Sequence, residues 1–413
     1  MEFIADFHIH SKYSRATSRD MDIKHLGEWA KLKGITLMGT GDFTHHLWLE
    51  ELKYNLEDCA NGLYKYNGIY FILTSEISSI YSKGGKGYRI HNLIFAPSFA
   101  VVDKINNALF RRGVNLSSDG RPIIGLDAAE LARIVFDIDE NCMIVPGHIW
   151  TPWFSLFGSM SGFDRIEDCF EEQTPKIFAL ETGLSSDPAM NWRLSALDKF
   201  TLISNSDAHS PQKIGREANV FNCELDYKTI RGVLKTKDKK RFLYTIEFFP
   251  EEGKYHYDGH RLCGVRWSPK ETREHNGKCS KCGKPVTVGV VNRVEKLADR
   301  PEGFKPEDAI PFKSFIPLDE IIADAKGVGK GSVGVGRDYL SYLAKFGTEF
   351  EILMRASRED LLKGLPPKVA AGVLRVREGK VNIKAGFDGE YGTISIFDEG
   401  ENQTKSEEQL SLF

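Results

Sequence analysis

The stretch Asp6-Phe7-His8-Ile9-His10-Ser11 directly follows the apolar run Phe3-Ile4-Ala5. Alternate side chains of an extended segment point to the same side, so His8 and His10 can both face one metal ion. A single His-x-His pair is found about as often in a structural role, in which each imidazole has a protein partner. A metal-binding role for His8 and His10 is favoured because the pattern recurs along the chain.

Carboxylates and histidines follow several other apolar, strand-like runs. The runs 35–40, 70–74, 143–146 and 201–204 lead into Asp42, Glu76, His148, Asp207 and His209, and His91 lies within the run 88–97. The helical patterns between them cover 23–33, 49–56, 103–112, 127–137, 164–172 and 191–199. Alternating strands and helices predict parallel β/α units up to about residue 248, with the strand ends at one rim. We therefore expect these side chains to meet in one site.

The residue types of this expected site suit a multinuclear metal centre. Any one of them is better explained as a satisfied loop residue, but that explanation does not account for so many at equivalent positions. Mixed histidine and carboxylate ligands favour zinc, manganese or iron over calcium. Their number predicts two or more ions bridged by a carboxylate such as Glu76. Such ions activate water and neutralise phosphoryl charge, so the chemistry needs no serine or cysteine nucleophile.

Composition narrows the class of protein. The 413 residues are 41% hydrophobic, which is typical of a globular protein. Their net charge of -3 argues against a wholly cationic protein that coats nucleic acid. The apolar stretches are as short as strands, so a membrane span is not predicted. The first residues do not have the basic and then apolar pattern of a secretory leader, so we expect a cytoplasmic protein. Seven cysteines, two of them in one C-x-x-C, fit a reduced compartment and one metal knuckle.

That C-x-x-C is Cys279-Ser280-Lys281-Cys282, and Cys263 lies upstream of it. His260-x-x-Cys263 repeats the spacing of the cysteine pair, so a structural zinc held by three cysteines and His260 is predicted. His256 and His275 are alternatives for the fourth ligand. A site with four protein ligands would stabilise a small subdomain rather than carry out catalysis.

Two segments are candidates for DNA contact. The aromatic segment 150–157, with Trp150, Trp153 and Phe154, can form a platform for a base or can be a buried loop. The basic run 235–241, with Lys239, Lys240 and Arg241, can contact phosphates or can be a solvated surface. The glycine-rich run 327–336 lacks the spacing of a phosphate-binding loop and is interpreted as a flexible turn.

The motif order of residues 1–248 resembles the polymerase-and-histidinol-phosphatase (PHP) superfamily, whose members are distorted (β/α)7 barrels that hydrolyse phosphoesters. The resemblance implies one ion held by His8, His10, Glu76 and Asp207, and a second held by Glu76, His91 and His148. Family members with three ions have ligands where this chain has Ala16 and Phe43. A third ion would need compensation by Asp42, His45 or His209. Asp42 can instead be a general base, and Arg15 can hold a phosphate oxygen or be an exposed arginine at a helix entry.

The chain's last residues differ in kind. Residues 398–408 are acidic and polar, which is typical of a disordered tether. They precede Gln409-Leu410-Ser411-Leu412-Phe413, which resembles the bacterial sliding-clamp-binding motif, with Gln409, Leu410, Leu412 and Phe413 as the expected contacts. The sequence therefore predicts a DNA polymerase sliding clamp as a partner.

Taken together, the PHP-like motifs, the cysteine pair and the segment Gly386-Phe387-Asp388-Gly389-Glu390-Tyr391-Gly392 resemble the endonuclease Q family over nearly the whole chain. The resemblance implies a PHP barrel (1–248), a zinc-binding subdomain (249–292), a mixed α/β DNA-binding domain (293–397) and a tail (398–413).

It also implies two or three divalent ions (zinc, manganese or magnesium) in the barrel, one structural zinc and a nucleoid-associated location. The substrate would be single- or double-stranded DNA, nicked 5′ to uracil, hypoxanthine, xanthine or an abasic site and read in a pocket between barrel and zinc subdomain. Asp207, Glu76, Asp42 and Arg15 would be catalytic. Two rival functions are a small-molecule phosphoesterase, such as a histidinol phosphatase, and a non-catalytic scaffold that recruits repair factors.

Overall fold

A computed structural model describes residues 1–398. In this part of the chain no helix is both long enough and apolar enough to cross a membrane. The strands are Glu2–Asp6 (β1), Leu37–Gly39 (β2), Glu57–Asp58 (β3), Tyr64–Tyr66 (β4), Ile69–Lys83 (β5), Lys86–Ala96 (β6), Ile123–Ile124 (β7), Met143–Pro146 (β8), Ala179–Glu181 (β9), Thr201–Ile203 (β10), Ala218–Asn222 (β11), Phe242–Glu247 (β12), Asp258–His260 (β13), Val265–Trp267 (β14), Phe312–Ser314 (β15), Asn382–Lys384 (β16) and Thr393–Ser395 (β17).

Most of the predicted helices form, with bounds shifted by a few residues. The helices are Ile23–Lys33 (α1), His46–Asn55 (α2), Phe99–Phe110 (α3), Ala128–Ile138 (α4), Ile166–Phe170 (α5), Pro188–Asn191 (α6), Tyr227–Thr236 (α7), Pro269–Glu274 (α8), Val290–Leu297 (α9), Leu318–Lys326 (α10), Val333–Phe346 (α11), Arg358–Gly364 (α12) and Pro367–Arg377 (α13). Helix α1 keeps its predicted bounds because Asp22 caps the His25 N–H and Gly34 ends it in the left-handed region at φ 90°.

The main sheet is more antiparallel than the strand and helix alternation predicted. Strands β1, β2 and β5 pair in parallel, but β11 is antiparallel to both β1 and β12, and β6 is antiparallel to β5 and β8. The long β5–β6 hairpin turns at Gly84 and Gly85, both at positive φ, as a two-residue hairpin requires. The Gly-Gly pair between two strand-like runs was thus a readable hairpin signal.

Strands β9 and β10 form a separate parallel pair beside β8. Polar side chains connect the end of β10 to β11 and β12. Asn219 accepts from the Ser204 N–H at 3.0 Å and donates to the Ser204 carbonyl at 2.7 Å, while the Ser204 hydroxyl donates to the Ile246 carbonyl. All three residues are buried, so side-chain hydrogen bonds here take the place of a backbone ladder.

The predicted helix over 191–199 is wrong. Helix α6 ends at Asn191, and only a short 3₁₀ turn, Ser195–Leu197, follows. The Asn191 side chain donates to the Asp187 carbonyl and accepts from the Trp150 indole, which ties it to two neighbouring segments. Asparagine commonly competes with the helix backbone in this way.

Residues beyond 248 pack onto the first part of the chain rather than apart from it. Strand β15 extends the main sheet by pairing in parallel with β12. The buried Arg293 of α9 donates to the Phe157 and Phe163 carbonyls and to Asp164. Helix α11 begins at Val333, so the glycine-rich run is partly helical and not a turn throughout.

Candidate metal centre

Two groups of side chains converge at one end of the main sheet. Within each group, one ligand atom per residue lies within 4.8 Å of the others. The first group contains His8, His10, Glu76 and Asp207, and the second contains Glu76, His91 and His148. Glu76 is common to both groups, as the sequence predicted for a bridging carboxylate.

Carboxylates behind the two histidines of the first group set their orientation. Nδ1 of His8 lies 2.9 Å from a carboxylate oxygen of Glu181, and Nδ1 of His10 lies 3.1 Å from Oδ1 of Asp42. Both Nε2 atoms therefore face inward onto Oδ1 of Asp207, at 3.0 Å for His10 and 3.7 Å for His8, and none of the three buried atoms makes a hydrogen bond of good geometry. Orphaned nitrogen and oxygen atoms that converge, each imidazole backed by a carboxylate, are the arrangement that a divalent metal ion requires.

Glu76 lies between the two groups, with one oxygen toward each. Its Oε1 is 2.6 Å from Nδ1 of His91 and 3.1 Å from Nε2 of His148. Its Oε2 is 3.3 Å from Nε2 of His10 and 3.6 Å from Nε2 of His8. The sequence placed Glu76 just beyond a strand, but it lies inside β5, because the strand continues to Lys83.

The surroundings favour charged carboxylates in this centre. Burial alone would raise the pKa of Asp207, but contact with His10 and the charge of His8 outweigh it and lower that pKa. Burial likewise opposes ionisation of Glu76, yet His91 and Arg121 hold its pKa well below the ordinary value. Burial lowers the pKa of His91 to about 4, so this imidazole is neutral at neutral pH, as a metal ligand must be.

Three other predicted residues lie around the groups and not within them. Asp42 is fully buried behind His10 and also accepts from the Ser11 N–H and hydroxyl and from Ser14. This position makes Asp42 an orienting residue for His10. The His209 ring packs on His10 with centroids 4.5 Å apart, and His45 stacks on Tyr13. Ala16 is exposed and Phe43 is in the core, so neither position offers a ligand.

Two residues that were not predicted, Glu181 and Arg121, contact the candidate ligands. Glu181 ends the apolar run 178–180, so it had the same strand-end signal as the predicted ligands. It contacts His8 and accepts from the His148 N–H at 2.8 Å. Arg121 had no such signal, and its guanidinium lies 3.2 Å from Oε2 of Glu76. Arg15 is exposed, and its Nε lies 3.3 Å from Asp119.

The cysteine pair belongs to a second, separate cluster. His260, Cys263, Cys279 and Cys282 form a group whose ligand atoms lie within 4.8 Å of one another, which favours His260 as the fourth ligand. Three thiols and one imidazole are a ligand set that suits zinc. His275 instead stacks on Trp267 with centroids 4.3 Å apart, and His256 lines a cleft elsewhere.

The segment Gly386–Gly392 packs against this zinc-type cluster. Phe387 lies so close to Gly259 that an added Cβ there would approach its ring to 2.4 Å. Asp388 accepts from the Arg261 N–H at 2.6 Å and from the Thr287 hydroxyl at 2.5 Å. The cluster therefore helps to position Tyr391 of the same segment.

A cleft of about 930 Å³ adjoins the metal centre. Trp153, Phe154, Tyr255 and Tyr391 are among its lining residues, together with Arg89 and Arg216. The ring of Phe154 packs on His91 with centroids 5.0 Å apart, so the cleft begins at a metal-ligand candidate. Trp150 does not take part, because it is fully buried and its indole donates to Asn191; the prediction of Trp150 as a stacking residue is wrong.

The basic run lies at the opposite end of the sheet. Arg241 directly precedes β12, and its carbonyl accepts from the Asn222 N–H, next to Glu2 at the start of β1. The metal centre lies beyond the other end of β1. Lys239 donates to the Glu307 carbonyl. Lys239, Lys240 and Arg241 are thus not part of the site, and the predicted clamp-binding residues 409–413 lie outside the described residues.

Comparisons with known proteins agree on one family. The family model of the MJ0043 C-terminal domain matches residues 317–380. The uncharacterized protein YqxK of Bacillus subtilis is 32% identical over 94% of this chain and 98% of its own length. The uncharacterized protein MJ0043 of Methanocaldococcus jannaschii is 35% identical over 67% of this chain, which corresponds to 36% of that protein.

Two solved structures are similar over nearly the whole chain. The lesion-specific endonuclease PfuEndoQ from Pyrococcus furiosus is 32% identical, with a TM-score of 0.87 and full coverage of both chains. Endonuclease Q in complex with a 27-mer duplex that has an abasic lesion at the active site is also 32% identical. Its TM-score is 0.85, and the match covers 97% of this chain and 98% of that one.

Proposed function

Because the chain belongs to the endonuclease Q family, we propose that it is a metal-dependent DNA repair endonuclease. It hydrolyses the phosphodiester on the 5′ side of a deaminated base, namely uracil, hypoxanthine or xanthine, or of an abasic site. The abasic duplex in the active site of a relative at 32% identity supports DNA as the substrate.

The observation that carries this proposal is the cleft beside the metal centre. Its volume of about 930 Å³ lies near the upper end of the range for ligand pockets and leaves room for an extruded nucleotide. Trp153 and Tyr255 meet edge to face at 5.4 Å in its wall, and Phe154, another lining residue, packs on His91. Aromatic side chains of this kind stack bases at about 1–3 kcal/mol per base.

Two divalent ions, zinc, manganese or magnesium, fit the two ligand groups of the barrel. When bound, such ions activate water for attack on phosphorus and neutralise charge on the phosphoryl oxygens. His8, His10, Glu76 and Asp207 hold the first ion, while Glu76, His91 and His148 hold the second. Glu181 and Asp42 keep the Nε2 atoms of His8 and His10 aimed at the centre.

The remaining parts of the chain have supporting roles. Residues 1–248 form a distorted (β/α)7 barrel, 249–292 a zinc-binding subdomain with one structural zinc, and 293–397 a DNA-binding domain. The strand β15 supports close attachment of the last of these to the barrel sheet. Gln409–Phe413 bind the sliding clamp, so deleting them should abolish co-elution with the clamp while sparing nicking.

The test compares labelled duplexes that contain one uracil, one hypoxanthine or one abasic site with an undamaged duplex and a small phosphomonoester. The chain, supplied with Mn²⁺, should nick only the damaged strands, at the 5′ side of the lesion. Cleavage of the phosphomonoester alone would overturn the nuclease in favour of a small-molecule phosphoesterase. An Asp207→Ala variant that still nicks DNA would overturn the assigned metal centre.

A further inference from the structure

Arg121 places a guanidinium at the edge of the metal centre. Its Nη1 lies 3.2 Å from Oε2 of Glu76, the same oxygen that faces the two histidines of the first group. Among the described residues, Glu76 is the one hydrogen-bond acceptor of this guanidinium, which has five N–H groups in all. The side chain is 28% exposed, so part of the guanidinium faces solvent at the edge of the centre.

The backbone around Arg121 is fixed in place. Asp119 accepts from the Arg121 N–H at 3.2 Å and from the Arg15 N–H at 3.3 Å. Gly120 lies so close to Asp42 that a Cβ would approach the Asp42 carboxylate to 2.3 Å, and its N–H donates to the Tyr13 carbonyl. The carboxylate that orients His10 therefore also bounds the loop that delivers Arg121.

Arg121 lies where phosphodiester hydrolysis would benefit from a further positive charge. A phosphoryl centre under attack develops charge on its non-bridging oxygens as well as on the attacking and leaving oxygens. Two ions serve the latter, and a fixed guanidinium is well suited to the former, because its planar N–H groups match phosphate oxygens. Within residues 1–398, the candidate ligand groups at this centre are the two described above, and Arg121 adds a positive charge beside them.

We propose that Arg121 is a catalytic residue that donates to a non-bridging oxygen of the scissile phosphate and supplies the positive charge that a third ion would otherwise bring. This inference rests on the proposed function, since it needs a phosphodiester at the centre. Nη1 stays near Glu76, and the other N–H groups turn to the phosphate. Arg15, held by the same Asp119, lies farther out and is not required for this role.

Single-turnover cleavage of a duplex with one abasic site tests the proposal. Arg121→Gln should lower the rate by about 10²–10³-fold, as loss of a preorganised donor at a developing oxyanion does. Arg121→Lys should recover part of the rate, since it keeps the charge but not the paired N–H groups. The matched control is Arg133→Gln, which removes an exposed arginine paired with Glu130 and should cleave at the wild-type rate.

Metal binding gives the second readout. Mn²⁺ titration of Arg121→Gln, followed by calorimetry, should show the wild-type number of ions with equal or tighter affinity, because a cation beside Glu76 has been removed. If the variant instead loses an ion in step with its loss of rate, Arg121 supports the metal centre and the proposal is wrong.

Sulfur substitution of the scissile phosphate separates the remaining outcomes. One phosphorothioate diastereomer should slow the wild-type chain more than it slows Arg121→Gln, because only the former has the contact to lose. Equal slowing of both chains by both diastereomers, or a wild-type rate for Arg121→Gln, would overturn the role of Arg121 alone. A wild-type chain that leaves every lesion duplex intact would overturn the proposed function itself.

Discussion

The metal centre combines histidines with carboxylates, and the zinc-type cluster combines one histidine with three cysteines. The surroundings of the two sites differ. The candidate ligands of the metal centre are buried except for Asp207, whose side chain is 27% exposed, and each imidazole of the first group is backed by a carboxylate. The zinc-type ligands include the exposed Cys282 and lie on short hairpins beside a small apolar group that contains Cys279. We therefore expect the main sheet to hold its candidate ligands in place without an ion, and the small cluster to depend on its ion for its structure.

The largest expected effect tests the weaker scaffold. Cys279→Ser should remove one full equivalent of zinc and unfold residues 258–287, because a structural zinc site supplies the folding free energy of its own subdomain. Asp388 and Phe387 would lose their partners, so Tyr391 should leave the cleft wall and lesion binding should weaken. Elemental analysis and limited proteolysis measure the two changes.

Cys59→Ser is the matched control, because Cys59 lies outside the cluster on a partly exposed loop. It should keep the zinc and resist the protease. A Cys279→Ser chain with full zinc content would show that the cluster has another set of ligands.

In the barrel, loss of the shared ligand should abolish activity but not the fold. Glu76→Gln removes the one carboxylate that faces both ligand groups, so the nicking rate should fall by at least about 10³-fold, or ~4 kcal/mol of barrier. The circular dichroism spectrum should not change, because Glu76 lies within the long β5–β6 pairing, which runs from Leu73 and Ala96 to Lys83 and Lys86. Glu171→Gln, at an exposed ion pair with Lys83, should leave both quantities unchanged.

If the Glu76→Gln chain unfolds, the metal centre and the zinc-type cluster do not differ in how far their structure depends on bound ions. Such unfolding would mean that the barrel, like the small cluster, depends on its ions for its structure.

A smaller effect separates the ligands from the carboxylates behind them. Glu181→Gln keeps the shape of the side chain but weakens its hold on Nδ1 of His8 and on the His148 N–H. Loss of such a partner costs about 10–100-fold in metal affinity, or roughly 1.4–2.7 kcal/mol. Calorimetric Mn²⁺ titration should show this loss for one of two ions.

The control for Glu181 is Glu247→Gln. Glu247 is equally buried, but its partners within residues 1–398 are hydroxyl groups, among them Thr182, and not imidazoles. Its variant should bind Mn²⁺ as the wild-type chain does. Equal losses in the two variants would assign the effect to buried charge in general.

Sequence reasoning found every member of the two barrel groups because each is a histidine or carboxylate in or next to an apolar run. It did not predict Glu181 and Arg121, which contact members of these groups, and the reasons differ. Glu181 had the same signal and could have been found, whereas Arg121 follows a glycine in a loop, and only the fold brings it to Glu76. Burial also cannot be read from one aromatic segment, in which Trp150 faces the core and Trp153 the cleft.

The direction of a strand was the other limit. The basic run 235–241 ends where β12 begins, and the sequence alone does not say which end of the sheet that is. The antiparallel pairing of β11 with both β1 and β12 decides the matter and places the run away from the centre. Non-local pairing of this kind leaves no signature in the residues themselves.

The last expected effect is on stability rather than on activity, and it concerns Glu217 and Glu247, two buried carboxyl groups beneath Glu181. Burial, chiefly, and the charge of Asp187 raise the pKa of Glu247 to about 8, and burial and Glu247 raise the pKa of Glu217 well above its ordinary value. The folded chain therefore binds these protons more tightly than the unfolded chain does. Their contribution to stability is complete below about pH 4.5 and is lost as the pH rises toward 8.

Urea unfolding at pH 6 and pH 8 should accordingly show lower stability at pH 8, with up to about 1.4 kcal/mol lost per pH unit for one such group. Glu247→Gln mimics the protonated form and should reduce this decline. Glu349→Gln is the control, because Lys33, at 2.8 Å, and Tyr339 hold the Glu349 carboxyl ionised against the effect of burial, and its pKa is lowered. That variant should be less stable at both pH values and keep the decline, since its lost ion pair does not titrate in this range. If Glu247→Gln keeps the full decline as well, Glu247 is ionised throughout this range, and the pH dependence comes from other groups, namely Glu217 or the imidazoles of the metal centre.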